Sequence, residues 1–399
     1  MNTDSNASKS SVISNLVKIL RENIQTYAIV VALIVIWTLF SAMTEGRFVG
    51  PQNFSNLFRQ MTVTSFLAAG MVLVIVTGNI DLSVGKLAGF VSVVVAKFQD
   101  DIWTQVFPEQ GIWTTALSVL IGLVVGTGIG LIQAYIIAYL NVPAFIVTLG
   151  TMWIMNGAIL LVTEGKTIAA DQPALKVIAQ GYLPANVGWI IAVGVVALLF
   201  YSMFNGRQKK RTYGFELAPL YLDLTKTIFF SALVVGYVYM VNQYNGFQIP
   251  VLLLAIVVVF MTYLSNNTRF GRYAYAIGGN REAARLSGVN IRKNIFSVFV
   301  LMGFLCGVGG VVLASYVGYG TIGAGQAYEL DAIGAAILGG TSTLGGVGTI
   351  FGAMVGSLIL TSLSTGLQIM NIQAAWQYIV KGIVLVVAVF GDVYLRKKR

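Results

Sequence analysis

The sequence predicts an all-α polytopic membrane protein with about ten to twelve transmembrane segments, including broken or half-helices. Of its 399 residues, 57% are hydrophobic and 10% are charged, whereas soluble domains carry about 25% charged residues. The apolar residues form runs that approach the roughly 20 residues needed to cross a bilayer. The basic residues fall in the gaps between these runs, as in the cytoplasmic loops of membrane proteins. We therefore expect residues 1–399 to form one domain embedded in lipid.

The apolar runs place the candidate segments along the chain. They are residues 27–43, 61–77, 82–98, 113–140, 143–163, 187–204, 227–241, 250–264, 295–316, 330–338, 350–367 and 376–394. The first run exceeds the usual core of a cleaved signal peptide, so we expect an uncleaved first helix. The segments that follow Asp81 and Glu329 are candidates for half-helices that do not fully span.

The distribution of Lys and Arg predicts the orientation of the segments. Basic clusters occur in the N-terminal tail (1–25) and at 207–211, 269–293 and 396–399. Because Lys and Arg collect in cytoplasmic loops, both termini and the segment 266–293 are expected in the cytoplasm. The gap at 46–60 is an exception, since it holds Arg47 and Arg59 but falls on the outer side.

The composition excludes several classes of function. The chain has no histidine and one cysteine, Cys306, so the usual general base and the commonest metal ligand are missing. We therefore expect no catalytic residue, no metal site and no cofactor, and we expect Cys306 to pack as a small hydrophobic residue. The net charge of +10 is spread over loops rather than gathered on a soluble face. This pattern indicates a lipid bilayer as partner and no nucleic acid.

The segment 164–167 ends like a phosphate-binding loop, but Leu160 stands where the first glycine of that motif is required. The segment is also expected on the outer side, away from ATP. Any nucleotide hydrolysis is therefore assigned to another chain. A membrane enzyme is the least favoured class, because the hydroxyls of residues 341–343 have no histidine to activate them.

Glycines recur at a spacing of four residues in several apolar runs. They are Gly122, Gly126 and Gly130, then Gly303 and Gly307, then Gly352 and Gly356. Small residues at this spacing let helices approach closely in lipid. We interpret them as helix-packing positions, with a pore-lining role second.

Acidic and hydroxyl residues at two segment starts predict a translocation path. The candidate path residues are Asp81, Ser83, Glu329, Asp331, Thr341 and Ser342. Ionisable groups at membrane depth are costly and usually functional, and irregular backbone there lines protein or a watery cavity. For Asp81, an ordinary role as a helix cap is an equal alternative. Lys86, Lys97 and Lys381 are interpreted as lysines that reach the membrane interface.

A short docking helix is predicted within the cytoplasmic segment. Asn280 is a suitable N-cap, Glu282 favours the first turn, and Gly288 is a natural stop. A helix of about seven residues is not stable alone, so it must dock on its own chain or in a groove of a partner. The candidate docking residues are Asn280, Arg281, Glu282, Ala283, Ala284, Arg285, Leu286, Ser287 and Gly288.

Ordered motifs over nearly the whole chain carry a family resemblance. They are residues 53–60 with 68–71, then Asp81-Leu82-Ser83-Val84-Gly85, 143–149, 271–288, 329–348 and 377–382. With these motifs the sequence resembles the permease subunits of bacterial ABC importers for monosaccharides, the ribose, arabinose, galactose and xylose group. An extra transmembrane hairpin at 187–241 is similar to the xylose branch. Asn79-Ile80 departs from the glycine that other members often have before this Asp motif.

The resemblance implies a multi-pass permease of the bacterial inner membrane that forms a homodimer. It also implies a cytoplasmic ATP-binding subunit, which would contact residues 280–288, and a periplasmic sugar-binding protein. The predicted function is the transport subunit, without its own ATPase site, of an importer for xylose or a related monosaccharide. The alternative is a secondary carrier coupled to protons or sodium, with Asp81, Glu329 or Asp331 as ion ligands.

Overall fold

The computed structural model describes residues 24–107, 111–215, 217 and 219–397. Within these residues the chain is helical apart from loops and four strands of two residues each, so the predicted all-α class is confirmed. The predicted tail 1–25 lies outside the described residues, except for its last two positions.

The N-terminal half of the chain contains nine helices in the described residues. They are α1 (Ile24–Met43), α2 (Pro51–Val76), α3 (Val84–Lys97), α4 (Trp103–Val106), α5 (Ile112–Ala138), α6 (Ala144–Thr163), α7 (Pro173–Gln180), α8 (Ala185–Thr212) and α9 (Leu220–Asn242). A 3₁₀ turn at Arg47–Val49 precedes α2, and a π-helical segment at Phe98–Ile102 joins α3 to α4.

The C-terminal half has a pair of short helices, Arg269–Gly279 and Arg281–Leu286, between longer ones. The helices are α10 (Ile249–Asn267), α11 (Arg269–Gly279), α12 (Arg281–Leu286), α13 (Ile291–Val317), α14 (Tyr328–Leu338), α15 (Ile350–Ile369) and α16 (Ala374–Lys397). The strands are β1 (Ile168–Ala169), β2 (Tyr182–Leu183), β3 (Phe247–Gln248) and β4 (Tyr319–Gly320). β1 pairs with β4 and β2 pairs with β3, both antiparallel, so each pair ties together loops that are distant in sequence.

Nine helices of the described residues are long and apolar enough to cross a membrane: α2, α5, α6, α8, α9, α10, α13, α15 and α16. The chain is therefore a multi-pass membrane protein. Of the two candidate half-helices, α3 continues through the π-helical segment to Val106, a helical length of roughly 34 Å. By contrast, α14 has 11 residues, about 16 Å, and is too short to span.

The start of α2 differs from the prediction. The apolar run indicates a start near residue 61, but the helix begins at Pro51, where proline fits the first turn. Arg59 therefore lies inside a helix rather than in an outer loop. Its guanidinium donates to Asn56 Oδ1 at 2.8 Å and lies 5.6 Å from the centre of the Tyr316 ring. These contacts hold the charge of Arg59 against its own chain.

The glycine spacing does bring helices together. A Cβ on Gly126 of α5 would lie 2.7 Å from the carbonyl oxygen of Gly303 of α13, and a Cβ on Gly130 would lie 2.7 Å from the Gly303 Cα. Gly356 of α15 packs in the same way on the backbone of Ala335 of α14. These contacts confirm the packing interpretation, and Cys306 is fully buried in the same core.

The predicted hairpin at 187–241 forms α8 and α9. An ion pair between Arg207 and Asp223 links the two helices near their connection. Tyr237 of α9 packs on the rings of Phe54 and Phe58, 5.9 and 4.8 Å away between centres. The hairpin is thus packed against α2.

Candidate functional site

The starts of α3 and α14 lie against each other. A Cβ on Gly85, in the first turn of α3, would lie 2.6 Å from the carbonyl oxygen of Gly325 and would also clash with the carboxylate of Glu329. From this point α3 runs toward the start of α5, where Trp103 Nε1 donates to Ser118 Oγ at 2.8 Å. The end of α14 instead leads to the end of α2. Two helices that start together and run to opposite ends of the bundle form the broken-helix geometry of many transporters.

Asp81 and Ser83 form a hydrogen-bonded turn at the start of α3. Asp81 Oδ1 accepts from the Ser83 N–H at 2.8 Å and from the Ser83 hydroxyl at 2.6 Å. Gln133 of α5 donates to Ser83 Oγ at 2.8 Å. Both predicted residues are at most 1% exposed. Asp81 is not the N-cap of α3, because Ser83 holds that position and the cap has no side-chain hydrogen bond. The Asp81 carboxylate instead holds an Asx turn that precedes the helix.

Glu329 lies in the first turn of α14, where a negative charge is stabilised by the helix dipole. Its Oε2 atom is buried and has no hydrogen-bond partner among the described residues. This carboxylate faces the start of α3 at Gly85. Glu329 is therefore the path candidate that sits at the contact between the two helix starts.

Asp331 pairs with Lys381 of α16. Lys381 Nζ donates to Oδ1 at 3.1 Å and to Oδ2 at 2.9 Å, and the two side chains are 17% and 23% exposed. The ammonium of Lys381 is therefore held by a partner in its own chain, which the sequence did not indicate, and its position at the membrane interface stays a prediction. Both residues line a cavity of about 430 Å³ between α2, α14, α15 and α16.

Thr341 and Ser342 lie in an irregular loop, residues 339–349, between α14 and α15. Gly340, Gly345 and Gly346 have positive φ angles of 90°, 86° and 74°, which favour glycine. The Ser342 hydroxyl accepts from the Leu344 N–H at 3.2 Å, and both Thr341 and Ser342 are buried. Their hydroxyls point into the loop rather than into the cavity with Asp331, so the candidate path residues occupy separate places.

The short docking helix forms as the sequence predicts. Asn280 Oδ1 accepts from the Ala283 N–H at 2.9 Å, and Gly288 has a φ of 80°. Arg285 pairs with Glu282 at 2.6 Å on the exposed side of α12. Leu286 is 77% exposed, whereas Ala284 is 5% exposed and packs on its own chain. Ala284 therefore does not belong to the outward face of this helix.

Helix α11, which precedes α12, touches the glycine-rich loop 339–349 directly. A Cβ on Gly278 of α11 would clash with the carbonyl oxygen of Val76, the last residue of α2, and would lie 2.5 Å from the Gly346 nitrogen. The Gly346 N–H also donates to the Val76 carbonyl at 2.9 Å. Tyr275 of α11 donates its hydroxyl to the Gly348 carbonyl at 2.8 Å. We call the contact of Gly278, Val76 and Gly346 the backbone junction.

Sequence reasoning missed the partners of the path residues. Gln133, Lys381 and Gln60 reach these places from helices that are distant in sequence. Gln60 and Lys381 stand in the family motifs 53–60 and 377–382, but these motifs do not indicate their partners. The sequence did contain one indication of a partner for the path residues: Lys381 is a charged residue close to the start of an apolar run.

The segment 164–167 does not have the surroundings of a phosphate loop. It follows helix α6 and leads into the two-residue strand β1, whereas a phosphate loop follows a strand and opens a helix. Within the described residues, no cluster of three or more His, Cys, Asp or Glu is placed to hold a metal ion.

Comparison with known proteins gives matches over most of the chain. The protein family described as branched-chain amino acid transport system / permease component matches residues 53–389. The xylose transport system permease protein of Haemophilus influenzae is 38% identical over 377 residues, which cover 94% of this chain and 98% of that protein. That of Escherichia coli is also 38% identical, over 371 residues that cover 93% of this chain and 92% of that protein. No solved structure matched the chain.

More distant relatives have related names. The galactose/methyl galactoside import permease protein of Escherichia coli is 34% identical over 361 residues, which cover 89% of this chain and 90% of that protein. The ribose import permease protein of Haemophilus influenzae is 31% identical over 369 residues, which cover 92% and 93%. The resemblance to sugar permeases is confirmed by these matches. Because the family match covers well over half of the sequence, the chain belongs to this family of transport-system permease components.

Proposed function

We propose that this chain is the transmembrane permease subunit of an ATP-driven monosaccharide importer of the bacterial inner membrane, with xylose or a related sugar as its substrate. The observation that carries the proposal is the 38% identity to xylose transport permeases over nearly the full length of both chains. The broken-helix geometry at Gly85 and Glu329 adds to it, because transporters place their paths at such starts.

The energy for transport is proposed to come from a separate ATP-binding subunit. This subunit would dock on the exposed face of α12, which carries Arg281, Glu282, Arg285 and Leu286. The exposed fraction of Leu286, 77%, is high for a leucine on a six-residue helix. Such a helix gains stability by inserting this side chain into a groove of a partner. The coupling segment is thus proposed as residues 266–293, with α11 and α12 at its centre.

The backbone junction supports a route from the ATP-binding subunit to the path. A displacement of α12 would move α11, since the two helices are separated by Asn280 alone. Gly278 of α11 would then push on Val76 and Gly346, and so on the ends of α2 and of the loop that follows α14. In this proposal ATP binding closes one end of the path by moving α14 against α15.

The oligomeric state, the sugar-binding partner and the orientation are proposed from the family resemblance. Two copies of the permease are proposed to form the transport unit, and a periplasmic sugar-binding protein is proposed to deliver the sugar. Both termini are proposed to lie in the cytoplasm, on the side of α12. Residues 187–241 are proposed as an added transmembrane hairpin, packed against α2 by Tyr237.

Uptake of D-xylose into proteoliposomes tests the function. The chain would be reconstituted with its co-purified ATP-binding subunit, with the binding protein on the side that supplies the sugar and ATP on the other. We expect uptake that requires ATP and the binding protein and that survives collapse of proton and sodium gradients. Uptake without ATP that stops when a gradient is collapsed would support the secondary carrier instead.

The docking face is tested by Leu286→Glu. A buried glutamate without a partner opposes the proposed insertion, so we expect loss of co-purifying ATPase and at least about tenfold less uptake, the equivalent of 1.4 kcal/mol in binding. Leu217→Glu is the matched control, because Leu217 is also an exposed leucine, in the connection between α8 and α9. Equal retention of the ATPase by both variants would exclude the docking role of α12.

A further inference from the structure

The cavity beside Asp331 has the size and lining of a small-molecule site. Its volume is about 430 Å³, within the roughly 300–1,000 Å³ of ligand pockets. Its wall comes from four helices: α2 contributes Gln60, α14 contributes Asp331, α15 contributes Gln368, and α16 contributes Lys381 and Tyr378. A cavity with amide, carboxylate, ammonium and phenol groups offers both donors and acceptors on several sides.

The ion pair in the wall retains hydrogen-bonding capacity. A lysine ammonium has three N–H donors, and a carboxylate accepts about four hydrogen bonds. Lys381 uses its ammonium on the two Asp331 oxygens, and both side chains stay partly exposed in the cavity. A ligand hydroxyl that accepts from Lys381 and donates to Asp331 would therefore add to the pair without breaking it.

The side-chain amides of Gln60 and Gln368 add hydrogen-bonding groups to the cavity wall. Together with the ion pair they suit a ligand with vicinal hydroxyl groups. Gln60 Oε1 accepts from Thr365 at 3.1 Å, which fixes the amide and leaves its NH₂ group to donate. The Gln368 side chain is exposed in the cavity lining. Tyr378 adds a flat apolar face with a polar hydroxyl at its edge. Alternating donors and acceptors around an aromatic face match a neutral polyhydroxylated ring.

The floor of the cavity is apolar and tight. Gly334, Leu360 and Leu385 lie there, and a Cβ on Gly334 would be 3.2 Å from Leu360 Cδ1 and 3.3 Å from Leu385 Cδ1. Below the floor, α14 and α15 pack through Gly356 against the Ala335 backbone. A polar ligand can therefore rest above the floor, but it passes only if α14 and α15 separate.

The cavity lies beside the half of α2 that is farther from α12. Gln60 and Val76 are both in α2 and are 16 residues apart. This separation corresponds to about 24 Å along the helix axis. Val76 touches α11 at the backbone junction. The cavity is thus on the side that faces away from α12, where a delivered ligand would arrive.

We propose that this cavity is a receiving site that binds a monosaccharide before translocation, with Gln60, Asp331, Lys381 and Gln368 contacting its hydroxyls and Tyr378 its ring face. The proposal rests on the proposed sugar-import function and adds the site at which the permease itself holds the sugar.

Cysteine protection tests the site in the complete importer. Cys306 is the single cysteine and is 0% exposed, so the native chain gives a low background. Gln368→Cys would be labelled with a charged methanethiosulfonate reagent, and Gln52→Cys is the control, because Gln52 is an exposed residue of α2 outside the cavity. We expect D-xylose to slow labelling of the Gln368 variant at least about threefold at saturation. Mannitol at the same concentration should slow neither variant.

A second variant keeps the test independent of labelling. Gln60→Leu removes the donating amide, and one lost hydrogen bond to a hydroxyl is expected to raise the sugar concentration for half-maximal uptake about tenfold. Gln52→Leu makes the same change on the same helix and should leave uptake unchanged. ATP-dependent uptake with neither protection nor a Gln60→Leu effect would overturn the receiving site and leave the function standing. Absence of ATP-dependent uptake in the native complex would instead overturn the function.

Discussion

Asp81 and Asp331 both lie near the start of a helix, but they have different surroundings: Asp81 precedes α3 by three residues, and Asp331 lies in the first turn of α14. Asp81 is 1% exposed, and its carboxylate accepts from the backbone and hydroxyl of Ser83. Asp331 is paired with Lys381 from another helix and lines a cavity. One acid stabilises a local turn, and the other joins two helices in the wall of a cavity.

The comparison shows that an acid at a helix start does not by itself indicate a binding role. The two residues differ in how far away in the sequence their partners lie and in whether they line a cavity. The partner of Asp81 is two residues away, as in any Asx turn. The partner of Asp331 is fifty positions away, so its ion pair depends on how α14 and α16 are arranged.

The largest effect is expected where the two helix starts touch. Gly85→Ala places a methyl group against the carbonyl of Gly325 and the carboxylate of Glu329. Such overpacking costs about 1–3 kcal/mol or more, and the thermal unfolding temperature in detergent should fall clearly. Gly128→Ala is the control, since nothing lies within 4 Å of its added Cβ. Equal unfolding temperatures for both variants would show that the two starts do not touch.

A smaller effect is expected from removing each charge in turn. Asp331→Asn weakens the pair with Lys381 and should lower D-xylose uptake about tenfold. Asp81→Asn retains an oxygen that accepts from Ser83 and should leave uptake within about twofold of the native protein, because asparagine forms the same Asx turn as aspartate. Uptake in membranes at matched protein amounts measures both. Lost uptake in Asp81→Asn with normal assembly would give Asp81 a functional charge.

The smallest effect is expected in a double-mutant cycle on the ion pair. Asp331→Asn, Lys381→Met and the double variant should show a coupling of about 0.5–2 kcal/mol in the free energy of unfolding, since both side chains are partly exposed. Chemical or thermal unfolding of the purified protein provides the values. Additive effects of the two substitutions would mean that Asp331 and Lys381 do not interact.

Local features of the fold followed from the sequence, and long-range contacts did not. The α12 helix could be predicted from Asn280 and Gly288 because capping acts within a few residues. The glycine spacing predicted close helix contacts, because the absence of a side chain lets two helices approach closely. The pairing of Asp331 with Lys381 could not be predicted, because it depends on the arrangement of four helices.

The error at the start of α2 has the same origin. Residues 51–60 include several polar residues and give no apolar run. They form helix because their polar groups find partners inside the protein: the Gln248 side chain donates to Ser55 Oγ at 2.6 Å, and Arg59 contacts Tyr316. A hydropathy pattern identifies a helix that faces lipid. It does not identify a helix whose polar side chains contact other parts of the protein.

The backbone junction has a consequence for how the protein can vary. Gly278, Val76 and Gly346 meet through main-chain atoms, so the linkage does not depend on which side chains surround it. In the proposed docking of an ATP-binding subunit on α12, the outward face of this helix is therefore free to change to fit a different subunit, while the proposed movement of α2 and the loop stays the same. Exchange of the α12 surface between related permeases should then change which ATPase binds without changing which sugar crosses.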